Sequence, residues 1–396
     1  ALHDFTLSPP KSVSVVWSQA SDDLKGQIES IQAERTKQFL DLMSEYAVGR
    51  TGAKGSVHQR AYIRGAMFGH GSSRENDPLL HTHAVIFNVV ELGNGATVAL
   101  EAREMLRWQG ALASLYHAAY AHDLRKLGLP IRKVGNLFEI DGVPQEVLEA
   151  FSQRRAAMLK AVAKEMEKRG LDVSEASRAL MQQAAIKNRP HKSELTRKEL
   201  VGIWKERGAA LGFTDEQVKQ LIDRESYVEL TPEQCKAEVK NAVDQIMRTK
   251  AVFGEPELLA KSASALIGLA SPESIIAAVE DYKSELLVSH GERSKDTVFT
   301  SREMVTLEHE MLELCEDRTG KHIQTEYELP DELSPEQRAA AEGVLRDDNF
   351  VTVVEGAAGA GKTYTMASVA RAYEANGYKV HGLATAWTAA LNLKND

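Results

Sequence analysis

The hydrophobic pattern at the start of the chain changes character within fifteen residues. "HDFTLSPPKSVSVVW" alternates apolar and polar positions on both sides of Pro9-Pro10, which predicts a strand, a turn, then a second strand or the start of a helix. Residues 22–48 place Leu24, Ile28, Ile31, Phe39, Leu40 and Met43 at helical spacing and predict an amphipathic helix. "SVHQRAYIRGAMFGHG" and "LHTHAVIFNVVEL" are β-rich runs separated by the polar, proline-containing "GSSRENDP". Residues 101–127 predict a second helix, and "LPIRKVGNLFEIDG" a hairpin turning at Gly135-Asn136.

From about residue 144 to 324 the pattern is nearly all helical. Breaks are expected at Gly170, Arg189-Pro190, Gly212, Gly254, Pro272 and Gly291. Mixed charges along this stretch read as solvated helix faces over a modest core. After "ELPDELSPEQ" the character changes again. "NFVTVVEG" predicts a short apolar strand, "YTMASVARAYEANG" a helix ending in glycine, and "YKVHGLATA" a second strand. Together they read as one βαβ unit of a parallel sheet.

Length, 396 residues, allows two or three domains. Hydrophobic content of 43% with 27% charged residues is that of a soluble globular protein. The net charge of −9 gives no global basic footprint, so any nucleic-acid surface must be a local cleft. The two cysteines, Cys235 and Cys315, read as buried thiols in a reducing compartment. No apolar run is long enough to span a bilayer and no signal peptide is visible, which points to the cytoplasm. The chain opens without Met, already entering a strand, and ends soon after a nucleotide motif. Both ends read as cut, so a longer parent protein is expected.

Chemistry concentrates in "HGSSRENDPLLHTHAVIFN", which holds three of the 12 histidines. On a strand, His81 and His83 project from one face with Thr82 opposite. The strand ending at His70 suits an antiparallel neighbour and would bring a third imidazole to the pair. Three neutral imidazoles with open positions suit a catalytic metal better than a structural one. Hydrogen-bonded histidines at a sheet surface are the alternative, because H-x-H pairs occur in unrelated folds.

The same stretch resembles the histidine-triad motif of conjugative relaxases of the TrwC/TraI-like (MobF) family, within the HUH endonuclease group. "DFTLSPPKSVS" resembles the family's preceding strand and turn, and "YHAAYAHDLRKLGLPIR" its following helix. The resemblance runs from residue 1 to at least residue 210. Gly71-Ser72 departs from it, because the family commonly has an acidic residue and Thr there.

The resemblance implies nicking of DNA at an origin of transfer, with a tyrosine forming a 5′-phosphotyrosyl bond that can later be resealed. It implies metal ligands at His70, His81 and His83, and at Asp4 a carboxylate that activates the tyrosine and orients a triad histidine. Zn²⁺, Mn²⁺ and Mg²⁺ remain open. Single-stranded DNA is the implied partner, with relaxosome and type IV secretion coupling proteins. Lys11, Lys54, Arg64 and Arg74 are candidates for phosphate contacts. The family's catalytic tyrosines lie upstream of the position of Asp4. Tyr46, Tyr62, Tyr116, Tyr120, Tyr227 and Tyr282 match none of them, so this chain is expected to bind metal and DNA without the nucleophile.

"GAAGAGKT", Gly356–Thr363, fits G-x-x-x-x-G-K-[ST] between an expected strand and helix. Gly356, Gly359 and Gly361 would let backbone amides cradle phosphates, with Lys362 on the β/γ-phosphates and Thr363 on Mg²⁺ of ATP. "LSPEQRAAAEGVL" resembles the adenine-reading segment of superfamily 1 helicases, with Gln337 as reader. "HGLATAWTAA" resembles the next helicase motif, which touches single-stranded DNA. The resulting expectation is an α+β relaxase over 1–225, with an antiparallel sheet bearing the triad and flanking helices. A helical connecting region over 226–325 would follow, then the start of an α/β RecA-like P-loop domain over 326–396. Two strands do not complete such a sheet, so ATP hydrolysis is expected of a parent protein rather than of this chain.

Overall fold

The structure, a computed structural model, describes residues 2–169, 195–222, 227–290, 297–316, 327–349 and 351–384. The expected breaks at Gly170, Arg189-Pro190 and Gly291 lie outside these residues. Contacts divide the chain into two compact units, Ala1–Thr300 and Ser301–Asp396.

The first unit is built on a five-stranded antiparallel sheet. Its strands are β1 (Leu2–Leu7), β2 (Val48–Thr51), β3 (Val57–Ser72), β4 (Pro78–Leu92) and β5 (Thr97–Glu101), in the order β1-β4-β3-β2-β5. β5 also pairs with the far half of β4, so that end of the sheet curls closed. Alternation decides the faces. Leu80, Thr82, Ala84 and Ile86 are buried, whereas His81, His83, Val85 and Phe87 lie on the open side.

Two helices, α1 (Lys11–Gln19) and α2 (Asp22–Glu45), lie on the buried face, and α3 (Arg103–Lys126) packs against α2. α1 settles the choice the sequence left between strand and helix. Its Val13, Val15, Val16 and Trp17 are buried on every side, and tertiary contact overrides the β-propensity of the valines. Its buried serines are not idle. Ser12 accepts from the backbone of Ile140, and Ser14 from that of Leu80. α2 stops at Glu45, three residues before the expected end, because the chain must straighten into β2. β6 (Ile131–Val134) and β7 (Leu137–Ile140) form the expected hairpin, with Gly135 at positive φ in the turn.

Beyond it lie α4 (Gln145–Ala150), α5 (Gln153–Arg169), α6 (Arg197–Ala210), α7 (Asp215–Leu221) and α8 (Pro232–Met247). Then follow β8 (Phe253–Gly254), α9 (Glu255–Ala265), α10 (Pro272–Lys283), β9 (Leu287–His290) and β10 (Thr297–Thr300). The stretch expected to be nearly all helical therefore contains a small antiparallel sheet, β8-β10-β9. Its strands are two to four residues long, too short for a period-2 pattern to show. The break expected at Pro272 lies between α9 and α10, and Pro272 itself opens α10, at the position where a missing N–H is harmless.

The expected boundary at 225/226 does not coincide with the break in packing. α9 lies along α3, and Leu258, Ala263 and Leu266 share one core with Leu115 and Leu124. Cys235 is buried in that core, whereas Cys315 is half-buried.

The second unit contains α11 (Arg302–Glu316), α12 (Pro335–Arg346) and α13 (Lys362–Ala375). α12 and α13 share a small core of Leu333, Ala341, Leu345, Val369 and Ala372. The runs expected as parallel strands before and after the P-loop form no strand within the described residues, and Val351, Val353 and Val380 are exposed. A parallel strand needs neighbours to take its backbone hydrogen bonds, and these runs have none there.

Candidate metal centre

Antiparallel pairing sets His70 directly opposite His81 and Phe68 opposite His83. Cross-strand partners share a face, so all three imidazoles stand on the open side of the sheet. Their ring centroids form a nearly equilateral triangle with sides of 5.3, 5.5 and 5.3 Å. Three imidazoles on one ion at metal–nitrogen distances of about 2.0–2.1 Å would space their centroids by about 5–5.5 Å. The rings therefore sit at the right separation. Among the described residues, no three such side chains yet form a ready ligand set. Backbone register fixes where the rings stand, whereas nitrogen direction follows the soft terminal torsion of histidine. Ring placement is the more decisive of the two.

Hydrogen bonds select the tautomers of two rings. Nδ1 of His83 lies 2.9 Å from both Asp4 carboxylate oxygens and 3.2 Å from Oγ1 of Thr6. Nδ1 of His81 lies 2.9 Å from the carbonyl of Leu79. Carboxylate and carbonyl only accept, so both Nδ1 atoms donate, which leaves Nε2 as the nitrogen available to a metal. Such an outer partner fixes ring orientation and raises ligand basicity. Thr6 and the Leu79 carbonyl were not anticipated from sequence. Thr6 had a signal, because it stands two residues from Asp4 on the same strand and so shares its face.

The opposite face is held by Gln32 of α2. Its Nε2 donates to Oγ1 of Thr82 and to the Leu7 carbonyl, and its Oε1 accepts from the hydroxyl of Tyr116. One buried amide thus ties together the two strands that carry Asp4, His81 and His83. Beside the triad a cleft of about 670 Å³ is lined by Trp17, Gln32, Met67, His70, His81 and Trp204, among others.

The four basic candidates fare differently. Lys11 turns inward, donating to the Pro78 carbonyl at 2.7 Å, and burial pushes its pKa down to about 8. Lys54 sits in the turn before β3, at the far end of that strand from His70, on the order of 40 Å along it. Arg64 is six residues from His70 and pairs with Glu91. Arg74, in the β3–β4 turn, is the one that remains near the triad. The single basic cleft expected from sequence is not formed by these four. Basic residues at dispersed positions carry no periodic signal that separates cleft from surface.

The tyrosines also find places. Tyr116 and Tyr120 are buried in α3, where burial raises both pKa values far above the ordinary 10. Tyr46 stacks on Trp108 at 4.1 Å. Tyr62 is exposed, but eight residues from His70 along β3, about 25 Å.

In the second unit, Gly361 adopts φ 76° and hands the chain into α13, whose first residue is Lys362. Nζ of Lys362 folds back onto the carbonyls of Gly356 and Ala357 at 2.6 and 2.9 Å. Gln337 is brought to this loop across 23 residues and donates to the carbonyl of Ala360 at 3.0 Å. Its Oε1 meanwhile accepts from the backbone of Ser334, closing a capping box on α12. Sequence reasoning placed Gln337 beside the loop but not in this capping role.

The TrwC relaxase family model matches residues 1–211, more than half of the chain. The chain belongs to the TrwC relaxase family. A second model, an AAA domain, matches residues 332–396, the portion holding Gln337 and the Gly-rich loop. The α+β sheet with flanking helices is the relaxase fold, and residues 332–396 of the second unit are consistent with the start of a P-loop domain. Two forms of the multifunctional conjugation protein TraI, from Escherichia coli and from its strain K12, are each 24% identical over all of this chain and 23% of their own length. The chain thus spans about a quarter of these relatives. Among solved structures, the metal-bound and metal-free complexes of the conjugative relaxase TrwC with oriT DNA are 30% identical to this relaxase chain. They cover 54% of it, and 72% and 74% of themselves, with a TM-score of 0.48.

Proposed function

We propose that this chain is part of a conjugative relaxase–helicase that nicks single-stranded DNA at an origin of transfer, and that it supplies the metal- and DNA-binding site rather than the attacking tyrosine. The observation that carries the reading is the triangle of His70, His81 and His83 with Asp4 on the back of His83. The relaxase portion is assigned to 1–225, the helical connection to 226–325 and the start of the helicase to 326–396. Cytoplasmic action and assembly with relaxosome and coupling proteins follow from the same reading. Among the described residues, no helix is long and apolar enough to cross a membrane.

Nε2 of His81, Nε2 of His83 and the ring of His70 would hold one divalent ion, with Zn²⁺, Mn²⁺ and Mg²⁺ as candidates. When bound, the ion supplies charge that polarises the scissile phosphate. Asp4 accepts a hydrogen bond from Nδ1–H of His83, which fixes the ring's orientation and leaves Nε2 as the ligating nitrogen. The adjacent cleft can shelter the strand beside the phosphate. In the family's chemistry a tyrosine oxygen bonds to phosphorus as the 3′-oxygen leaves with its electron pair, and the product is a 5′-phosphotyrosine. Tyr46, Tyr62, Tyr116 and Tyr120 stand elsewhere, so none of them is assigned this role. Gly356, Gly359, Gly361, Lys362, Thr363 and Gln337 are assigned to ATP with Mg²⁺.

Calorimetry with Zn²⁺ and Mn²⁺ on the His81→Ala/His83→Ala variant tests the site. Tight binding is expected to vanish while the fold, read by circular dichroism, persists. Unchanged affinity would remove the metal centre from the proposal.

A further inference from the structure

We propose that α6 is a clamp on the β3–β4 turn, and that Trp204 and Arg207 are positioning residues for the pair His70 and His81. The inference rests on the proposed metal centre for its purpose, but not for its geometry.

The pairing of β3 with β4 breaks register next to the triad. His70 faces His81 and Ser72 faces Pro78, so Gly71 alone opposes both Leu79 and Leu80. Two residues against one is a β-bulge, a device that re-aims side chains. Here it puts the Leu79 carbonyl against the ring of His81 and leaves Leu80 buried, its amide on Ser14. Loss of the bulge would slide β4 by one residue and turn His81 and His83 to the buried face.

The five residues joining the strands close on themselves: the amide of Ser73 donates to the Asp77 carbonyl at 2.8 Å, and that of Asn76 to the Ser73 carbonyl at 3.1 Å. Ser73 accepts from the amides of Glu75 and Asp77, and Asn76 sits at φ 60°, unusual for a residue with a side chain. Helices remote in sequence tie this closed turn to the body of the unit. Nε1 of Trp204 donates to the Asn76 carbonyl at 2.6 Å. Arg207 donates to Oδ1 of Asp77 at 2.9 Å, and the amide of Gln153, at the start of α5, donates to Oδ2 at 2.8 Å. Asp77 is 1% exposed, a carboxylate that would not be buried there without these partners. Trp204 also packs on Trp17 of α1, with centroids 5.5 Å apart. Trp17 in turn fills the space beside Gly71, where any Cβ would come within 2.6 Å of its ring. The two indoles thus touch both ends of the bulged segment. The glycine at position 71, where the family commonly has an acidic residue, is what lets Trp17 in.

The test uses the whole chain with Trp204→Phe, Arg207→Met and Arg207→Lys. Co²⁺ is titrated and its visible absorption recorded, amide hydrogen exchange is followed without metal, and melting is measured. We expect Trp204→Phe and Arg207→Met to accelerate exchange at least tenfold in His70–Ser72 and Leu79–His81, the part of the β3–β4 pairing beyond the reach of β1. Exchange in Thr82–Phe87, paired with β1, stays as in the parent. Co²⁺ affinity falls at least tenfold with an altered band shape, and Arg207→Lys restores most of both. Uniform acceleration across the sheet, or unchanged exchange at the turn, would overturn the clamp. If the parent chain binds no Co²⁺, the metal reading falls, and the exchange pattern alone decides the clamp.

Discussion

Both carboxylate oxygens of Asp4 lie 2.9 Å from Nδ1 of His83, across 79 residues of sequence and one strand-to-strand step. The contact exists because β1 pairs antiparallel with β4, with Thr6 opposite His83 and Asp4 one pair further along the same face. Asp4→Asn should lower Zn²⁺ or Mn²⁺ affinity by about 10–100-fold, the usual cost of losing an outer partner of a ligating histidine. Calorimetry measures it. An affinity equal to that of the parent chain would mean that the carboxylate does not orient His83.

Single-stranded DNA binding should weaken steeply as salt rises, because each neutralised phosphate releases counterions. Arg74→Ala should weaken binding and reduce the slope of log affinity against log salt by about 0.7. Lys54→Ala should do neither, since Lys54 stands at the far end of β3 from the triad. Fluorescence anisotropy over a salt series checks both. A loss of affinity in Lys54→Ala equal to that in Arg74→Ala would put the strand somewhere other than the cleft.

His117 of α3 supplies a pH prediction. Its ring lies edge-on to Tyr116 and Phe138, and its Nδ1 is buried without a hydrogen-bond partner among the described residues. Burial pushes its pKa from 6.5 down to about 4. Between those values the unfolded chain takes up a proton that the folded chain refuses. Stability therefore falls as pH drops from about 6.5 to about 4, by up to roughly 3 kcal/mol from this group. Denaturant titrations of the parent and of His117→Gln should diverge across that window. Parallel profiles would show that His117 is not buried neutral.

Lys362 now spends its charge on the carbonyls of Gly356 and Ala357. Nucleotide phosphates should displace it from both. Lys362→Ala should weaken binding of a fluorescent ATP analogue with Mg²⁺ at least tenfold, as expected when a charge-assisted contact to phosphate is lost. Gln337→Ala should reduce discrimination between adenine and guanine analogues and also loosen the start of α12, since the same side chain caps that helix. Equal adenine preference with and without Gln337 would confine it to the cap.

The sequence by itself determined the long strands that carry His70, His81 and His83, the helices α2 and α3, the turn at Gly135-Asn136 and the Gly-rich loop. Each is a local signal: period-2 or period-3.6 alternation, or glycines where the backbone must turn tightly. It also put His81 and His83 on one face, because strand geometry allows nothing else. Tertiary structure decided the rest. Only the β3–β4 register could place His70 against His81, and only the β1–β4 pairing could bring Asp4 to His83. α1, rich in valine, became a helix because it is buried on every side. The short strands β8, β9 and β10 appeared where the pattern read as helix, since a few residues each cannot show a period. Lys11, read as a phosphate contact, turned inward to Pro78, and Asp77, unmarked in the sequence, became the anchor of the turn. Such outcomes depend on which distant groups meet, and hydrogen-bond partners more than a hundred residues apart leave no trace in local periodicity.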